Sequence, residues 1–193
     1  TITSSVSANA SYGFSVVSWT GNSTAGATIG HGLSTAPSMV IIKNRDRTVD
    51  WVVGHLAANS FKTGRLHLNN GNAQGTSEDF FNDTNPTSSV FTVKNNYEVN
   101  YASENYVAYV WSEVSGFSKI STYTGNGSGT GPVVTTGFKP AFVLLRNPNI
   151  SENWLLFDSK RDSSARQYLV ANDGNPEGSG GGWINFLDDG FQL

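Results

Sequence analysis

The feature of the sequence that most constrains the fold is an internal repeat. Residues 13–22 match residues 116–126 with one insertion, and residues 37–44 match residues 140–147. From the matched prolines onward the two copies keep an offset of about 103 residues, much longer than the repeat period of solenoids and propellers. The repeat therefore predicts two copies of a whole sheet or subdomain within one chain.

The second copy is shorter than the first. Strand-like segments at 97–101 and 106–111 end the first copy and have no counterpart in the second. Because proteins normally cover an unpaired sheet edge, we expect residues 2–9, a neighbouring subunit or a longer parent chain to fill the gap. The opening Thr1 also leads us to expect a processed product or a piece of a longer chain.

The composition excludes several classes of protein. The 193 residues include no cysteine, so disulfide scaffolds, thiolate metal sites and thiol nucleophiles are ruled out. The net charge is -3 and the 12 basic residues are scattered, which argues against nucleic acid binding. Apolar runs are too short for membrane insertion. Only 14% of residues are charged, and the many Ser, Thr, Asn and Gly residues are typical of a secreted or particle-bound β protein.

Apolar and aromatic residues alternate with a period of two along most of the chain, which is typical of β-strands. Residues 107–111 are apolar on both faces, which predicts a central strand. Residues 50–59 are expected to hold one helical turn, and residues 159–167 a short helix or an irregular edge. We predict an all-β fold: an antiparallel β-sandwich, jelly-roll or concanavalin-like, built from two tandem repeats.

The repeat also suggests a division of the chain. Residues 1–12 form an N-terminal arm or strand, residues 13–115 the first repeat, and residues 116–193 a second repeat that lacks the final strand pair. No linker separates the copies, so we expect them to be fused into one sandwich. Two small tandem sandwiches are the alternative.

The residues do not form a recognisable catalytic motif. A Ser-His-Asp site needs a histidine as the base, but His31, His55 and His67 are not accompanied by the Gly-x-Ser-x-Gly motif that carries the nucleophilic serine. We interpret these histidines as surface residues, because the shared pattern of the two copies does not require them.

Paired carboxylates, which hydrolyse glycosidic bonds, occur as Glu78-Asp79 and Asp188-Asp189. Adjacent residues of a strand point to opposite faces, so neither pair is a natural acid–base couple. We predict no catalytic residue, and glycan depolymerase activity stays an alternative.

Loops rich in oxygen ligands or glycine are interpreted as plain connections. Residues 172–177 do not match the calcium-loop spacing, so we predict a turn without a metal there, although calcium binding is left open. Residues 125–131 lack the Lys-Ser/Thr ending of a phosphate loop. We therefore expect no cofactor and no metal site.

One group of residues could bind a sugar. Trp183 follows the glycines at 180–182, and we expect it to lie beside a polar loop that contains Asp173, Asn175 and Glu177. A ring that stacks on a sugar, together with amide and carboxylate hydrogen bonds, is how proteins bind saccharides. These four residues are the predicted ligand-binding site. By contrast, Trp51 and Trp154 occupy matched positions and are interpreted as core residues.

The repeated pattern also resembles a known type of protein domain. It consists of Gly-Phe-Ser, Tyr/Trp-Thr-Gly-Asn, Pro-x-Met/Phe-Val, Trp-Val/Leu-Val/Leu, and residues 105–111 ahead of the next Gly-Phe-Ser. This arrangement resembles an uncharacterised repeated domain of tail and virion proteins of marine bacteriophages, including cyanophages. The resemblance covers the chain from Gly13 onward, and it implies a structural or host-attachment role on the particle, with no catalytic signature to carry over.

The resulting functional expectation is a non-enzymatic virion module, extracellular on a phage tail fibre or appendage, that displays polar loops to a host-surface glycan. Its expected partners are other virion proteins, copies of itself and that glycan. A decoration or filament subunit completed by strand exchange is the alternative.

Overall fold

The computed structural model describes residues 1–62, 64–75, 80–161, 167–179 and 183–193. These residues form fifteen strands, one helical turn, α1 (Leu56–Asn59), and one 3₁₀ turn (Ala10–Tyr12). The strands are β1 (Ser4–Asn9), β2 (Phe14–Thr20), β3 (Ala27–Gly30), β4 (Met39–Asn44), β5 (Val52–His55), β6 (Leu66–His67), β7 (Val90–Val93), β8 (Asn105–Trp111), β9 (Val133–Thr135), β10 (Phe142–Leu145), β11 (Leu155–Asp158), β12 (Gln167–Val170), β13 (Gly178–Ser179), β14 (Asn185–Leu187) and β15 (Gly190–Gln192).

The first half of the chain forms a six-stranded antiparallel sheet in the order β1-β2-β8-β4-β5-β6. β8 is paired along its length with β2 on one side and with β4 on the other. The prediction of a central strand at 107–111 is therefore confirmed. α1 lies in the segment for which one helical turn was predicted.

Each face of the six-stranded sheet packs against a different layer. On one face, Val40, Ile42 and Ala108 belong to the largest core, which also contains residues of the β3–β7 pair. On the other face, Ile41 and Tyr109 pack with residues of the second half. Because neighbouring residues of a strand point to opposite faces, the doubly apolar strands β4 and β8 lie between two cores. This arrangement confirms the all-β antiparallel sandwich.

The second half repeats part of this pairing. Its strands pair as β10-β11-β12-β13 and as β14-β15-β9. β10, β11 and β12 pair in the same order as β4, β5 and β6 at the matched positions, and β9 pairs with β15 as β3 pairs with β7. This common order agrees with the repeat, which stays a prediction, as do the jelly-roll arrangement and the division at residue 115.

The N-terminal arm does not fill the gap in the second half, so that expectation is wrong. β1 pairs with β2 in full register from Ser4↔Trp19 to Asn9↔Phe14, at the edge of the first sheet. Ile2, ahead of β1, is attached to the β3–β7 pair, since its N–H donates to the Thr28 carbonyl of β3 at 2.8 Å. An arm that is paired over six residues with β2 is not available to cover another edge.

A polar network closes one end of the central strand. The hydroxyl of Tyr106, a fully buried residue, donates to the Tyr97 carbonyl at 2.9 Å and accepts from the Tyr101 N–H at 2.8 Å. Asn44 Nδ2 donates to Glu104 and lies 3.2 Å from the same hydroxyl. Burial raises the pKa of Tyr106 to about 12, so the hydroxyl keeps its proton and can donate at neutral pH.

We expect Tyr106→Phe to lower the free energy of unfolding by about 1–3 kcal/mol, because it removes the buried hydroxyl that accepts the Tyr101 N–H and donates to the Tyr97 carbonyl. Chemical denaturation measures this change. Tyr12→Phe is the matched control, since Tyr12 is exposed, and it should change stability by less than about 0.5 kcal/mol. Equal effects of the two substitutions would contradict this role of the network.

Candidate functional site

Two of the three histidines are buried, so their interpretation as surface residues is wrong for His31 and His67. His31 accepts the Leu33 N–H at Nδ1 and lies 3.2 Å from the Thr87 carbonyl through Nε2. Burial lowers the pKa of His31, against a hydrogen bond to Thr87 that raises it. His55 is half-buried and caps α1 by accepting the Ala58 N–H.

His67 lies between two carboxylates that come from separate segments. Its Nδ1 is 3.4 Å from Asp50 Oδ2, and its Nε2 is 3.5 Å from Glu98 Oε2. One donor atom from each side chain lies within 4.8 Å of the other two. We call Asp50, His67 and Glu98 the acid–histidine cluster.

Local structure explains how each segment presents its residue. His67 is on β6, paired with Val52 at the start of β5, and Asp50 precedes that strand. Asn69 Nδ2 donates to Asp50 Oδ1 at 2.7 Å and holds the carboxylate against β6. Glu98 is placed by a turn in which its own N–H donates to Asn96 Oδ1 at 2.8 Å.

Two buried polar atoms of the acid–histidine cluster lack hydrogen-bond partners. His67 is 6% exposed and Glu98 is 7% exposed, while the Asp50 side chain is 39% exposed and opens the cluster to solvent. His67 Nε2 and Glu98 Oε2 have no hydrogen-bond partner in the described structure. Such orphaned buried atoms are rare in native proteins and require an explanation.

The acid–histidine cluster was not predicted from the sequence. Asp50 and Glu98 were not predicted as site residues, and His67 was assigned to the surface. The three residues are far apart in sequence and match no motif spacing, so no signal in the chain could have brought them together.

The backbone beside the cluster also joins the two halves of the chain. Trp154 Nε1 donates to the His67 carbonyl at 2.8 Å. The Arg146 guanidinium donates to the carbonyls of His67, Asn70 and Asn72 and stacks over the Trp154 ring at 5.2 Å. Trp154 is buried, which confirms its interpretation as a core residue, and burial lowers the pKa of Arg146.

The outer edge of β10 is a second feature with functional potential. β10 pairs with β11 on one side, and no strand of the described residues pairs with its other side. At the matched position of the first half, β8 occupies that side of β4. We call the outer side of Phe142–Leu145 the open edge.

The structure brings only some of the predicted sugar-binding residues together. Trp183 is 52% exposed, and its ring meets Tyr168 edge-on with centroids 6.1 Å apart. Tyr168 pairs with Gly178, the residue after Glu177. Glu177 is, however, ion-paired with Arg161.

Asp173 and Asn175 form their own turn between β12 and β13. The Asn175 N–H donates to Asp173 Oδ1 at 2.9 Å, and Asn175 Nδ2 donates to Asp173 Oδ2 at 2.6 Å. The assignment of the four residues to one ligand site stays a prediction, and the glycines at 180–182 lie outside the described residues.

Of the two carboxylate pairs, Asp188-Asp189 lies within the described residues. Asp188 is bonded to Lys139 at 3.0 Å on the surface, and its neighbour Asp189 is exposed. Glu78 and Asp79 lie outside the described residues.

We expect Arg146→Met to lower the free energy of unfolding by about 2–3 kcal/mol, because hydrogen bonds from a charged donor to three carbonyls are lost. Urea denaturation measures this change. Lys139→Met removes an exposed ion pair and should cost less than about 1 kcal/mol. If the two variants are equally stable, Arg146 does not join the halves in the way described.

Comparison with known proteins identifies the family and little else. No curated protein and no solved structure matches the chain. No helix in the described part of the chain is long and apolar enough to cross a membrane. One family model matches residues 1–193, the full sequence. The chain therefore belongs to the family described as Domain of unknown function (DUF7483).

Proposed function

We propose that this protein is a non-enzymatic structural module of an extracellular particle, such as a phage tail fibre or appendage, and that it assembles by accepting a strand from a neighbouring subunit at the open edge. The single observation that carries the proposal is the unpaired outer side of β10. The virion setting is supported only by the resemblance of the repeated pattern to marine phage proteins.

The backbone geometry of β10 is suited to strand addition. The Ser159 N–H donates to the Ala141 carbonyl at 3.0 Å, so Ala141 and Val143 direct their backbone groups to β11. Antiparallel hydrogen bonds alternate along a strand. Phe142 and Leu144 therefore direct their N–H and C=O groups to the open edge, where no described strand pairs with them.

In the first half, the corresponding edge of β4 is occupied by β8. The Leu56 N–H donates to the Ser38 carbonyl at 2.8 Å, so the same alternation directs the backbone of Met39 and Ile41 toward β8. These two residues are the counterparts of Phe142 and Leu144 in the repeat. A strand with the alternating aromatic and apolar pattern of β8 is therefore the expected occupant.

A second segment in the same half also has no strand partner. Residues 117–123 match β2 in sequence, but they form no strand in the structure. In the first half β8 pairs with both β4 and β2, so one added strand would give both β10 and this segment a partner. The open edge and the segment 117–123 each carry an exposed aromatic side chain. These are Phe142, which is 55% exposed, and Phe117.

We expect Phe142→Pro to abolish strand addition, because proline removes the outward N–H. A labelled peptide with residues 104–112 of this chain, which contain β8, serves as the probe in fluorescence anisotropy, and sedimentation velocity measures self-association. The unsubstituted chain should bind the peptide or self-associate, and Phe142→Pro should weaken either interaction at least about tenfold.

The matched control is Phe142→Thr, which removes the same aromatic ring but keeps the N–H, so it should retain most of the interaction. An unsubstituted chain that stays monomeric and does not bind the peptide would contradict the proposal. Equal binding or self-association of Phe142→Pro and Phe142→Thr would also contradict it. Mass spectrometry of purified particles tests the virion setting separately.

A second candidate function is attachment to a host-surface glycan through Trp183, Asp173, Asn175 and Glu177. The exposed Trp183 ring braced by Tyr168 favours it, since a rigid exposed ring can stack on a sugar. The polar turn of Asp173 and Asn175 is also exposed.

We expect Trp183→Ala to weaken binding to the glycans recognised by the unsubstituted chain at least about tenfold, because the stacking surface is lost. A glycan array and competition for adsorption to host polysaccharide provide the measurement. Tyr97→Ala removes an exposed aromatic ring of the first half and should leave binding unchanged. New reducing ends in the polysaccharide would instead indicate a depolymerase, and absence of any binding would contradict attachment.

A further inference from the structure

We propose that the acid–histidine cluster is a binding site for a divalent transition-metal ion of the Zn²⁺ class. Asp50 and Glu98 each supply a carboxylate oxygen, and His67 supplies Nε2, the ring nitrogen that has no partner. This site is separate from the open edge and from Trp183, so it does not depend on the function proposed above.

The first argument is the spacing of the donor atoms. Ligand atoms about 2.1 Å from a tetrahedral Zn²⁺ stand about 3.4 Å from one another. Glu98 Oε2 lies 3.5 Å from His67 Nε2, which matches this spacing, whereas Asp50 Oδ2 lies 3.4 Å from the other ring nitrogen, Nδ1. One donor atom from each residue falls within 4.8 Å of the others. A cation bound at Nε2 therefore already has Glu98 at ligand spacing, and it requires the partly exposed Asp50 carboxylate to move from the Nδ1 side of the ring.

The second argument is the pair of orphaned atoms. Glu98 Oε2 and His67 Nε2 face each other at 3.5 Å, too far for a good N–H···O hydrogen bond. Both residues are more than nine-tenths buried. A cation between a buried carboxylate and an imidazole satisfies both atoms and offsets the desolvation of the charged oxygen.

The third argument is that the surroundings orient the donors. Asn70 Nδ2 donates to Asp50 Oδ2 at 3.2 Å. The same nitrogen lies 3.1 Å from His67 Nδ1, so a metal at Nε2 requires the Asn70 amide to turn and accept the Nδ1 proton. Asn69 holds the other oxygen of Asp50. Hydrogen-bonded residues of this kind position metal ligands and raise affinity. The half-exposed Asp50 gives a cation a route in from solvent.

The donor set decides the class of cation. One imidazole nitrogen and two carboxylates suit Zn²⁺ and related transition metals, whereas Ca²⁺ prefers six to eight oxygen ligands. A bound ion would connect the segment before β5, the strand β6 and the turn at Glu98. It would also brace the stretch of backbone to which Arg146 and Trp154 attach the second half.

Isothermal titration of the chelator-treated full chain with ZnCl₂ tests the proposal. We expect saturable binding of one ion per chain with micromolar or tighter affinity, a rise in melting temperature on zinc addition, and no comparable binding of CaCl₂. Co²⁺ should give the visible absorption of a tetrahedral N/O site. Absence of saturable zinc binding, or preference for Ca²⁺ over Zn²⁺, would overturn the assignment.

Two variants remove a ligand charge while keeping the shape of the side chain. Glu98→Gln and Asp50→Asn should each weaken zinc binding by about ten- to a hundredfold. Asp188→Asn removes an exposed carboxylate and should bind zinc as the unsubstituted chain does. Asp50→Asn keeps the test valid if Glu98→Gln fails to fold, because Asp50 is partly exposed. Zinc affinity that is unchanged in a folded ligand variant would overturn the site.

Discussion

The structure depends on β8 and its pairing on both sides. All seven residues of β8, Asn105–Trp111, pair with β2, and six of them pair with β4. This double pairing satisfies the backbone of the strand inside the molecule, where an unpaired N–H or C=O would be costly. It also allows the apolar side chains on both faces of β8 to be buried, on one side against the β3–β7 layer and on the other against the second half.

The second half shows the effect of leaving this position empty. Its hairpin strands still form, and a small core develops around Val143, Phe157, Ile184 and Phe191. Without a strand beside β10, however, the segment that resembles β2 forms no strand, and the aromatic rings of Phe117 and Phe142 stay exposed. Apolar groups next to an open edge are what strand addition buries, which is why we connect this part of the molecule with assembly.

Two polar clusters in the first half differ in how fully their buried atoms are hydrogen-bonded. Around Tyr106 every group shown has a partner, and the network closes one end of the sheet. At the acid–histidine cluster two buried atoms have none. Low dielectric surroundings strengthen a satisfied network and penalise an incomplete one. The difference between the two sites is the physical reason to infer a ligand at the cluster and a purely structural role at Tyr106.

Much of the fold was predictable from local patterns. The alternation along β8 and the helical turn at Leu56–Asn59 follow from residue type and neighbouring sequence, because strand faces and turns are set over a few residues. The core position of Trp154 was predicted from its match with Trp51 in the repeat. The repeat also led to the expectation of an uncovered edge. The wrong expectation for the N-terminal arm has a simple cause: which of several edges a strand joins depends on contacts between residues far apart in the chain.

The sequence by itself determined the strand pattern and the all-β class, since both are properties of local spacing. Only the tertiary structure decided that β1 joins β2, that His31 and His67 are buried, and that Asp50, His67 and Glu98 meet. Those outcomes depend on the register of distant strands and on which face of the sheet is covered, and no local periodicity encodes them.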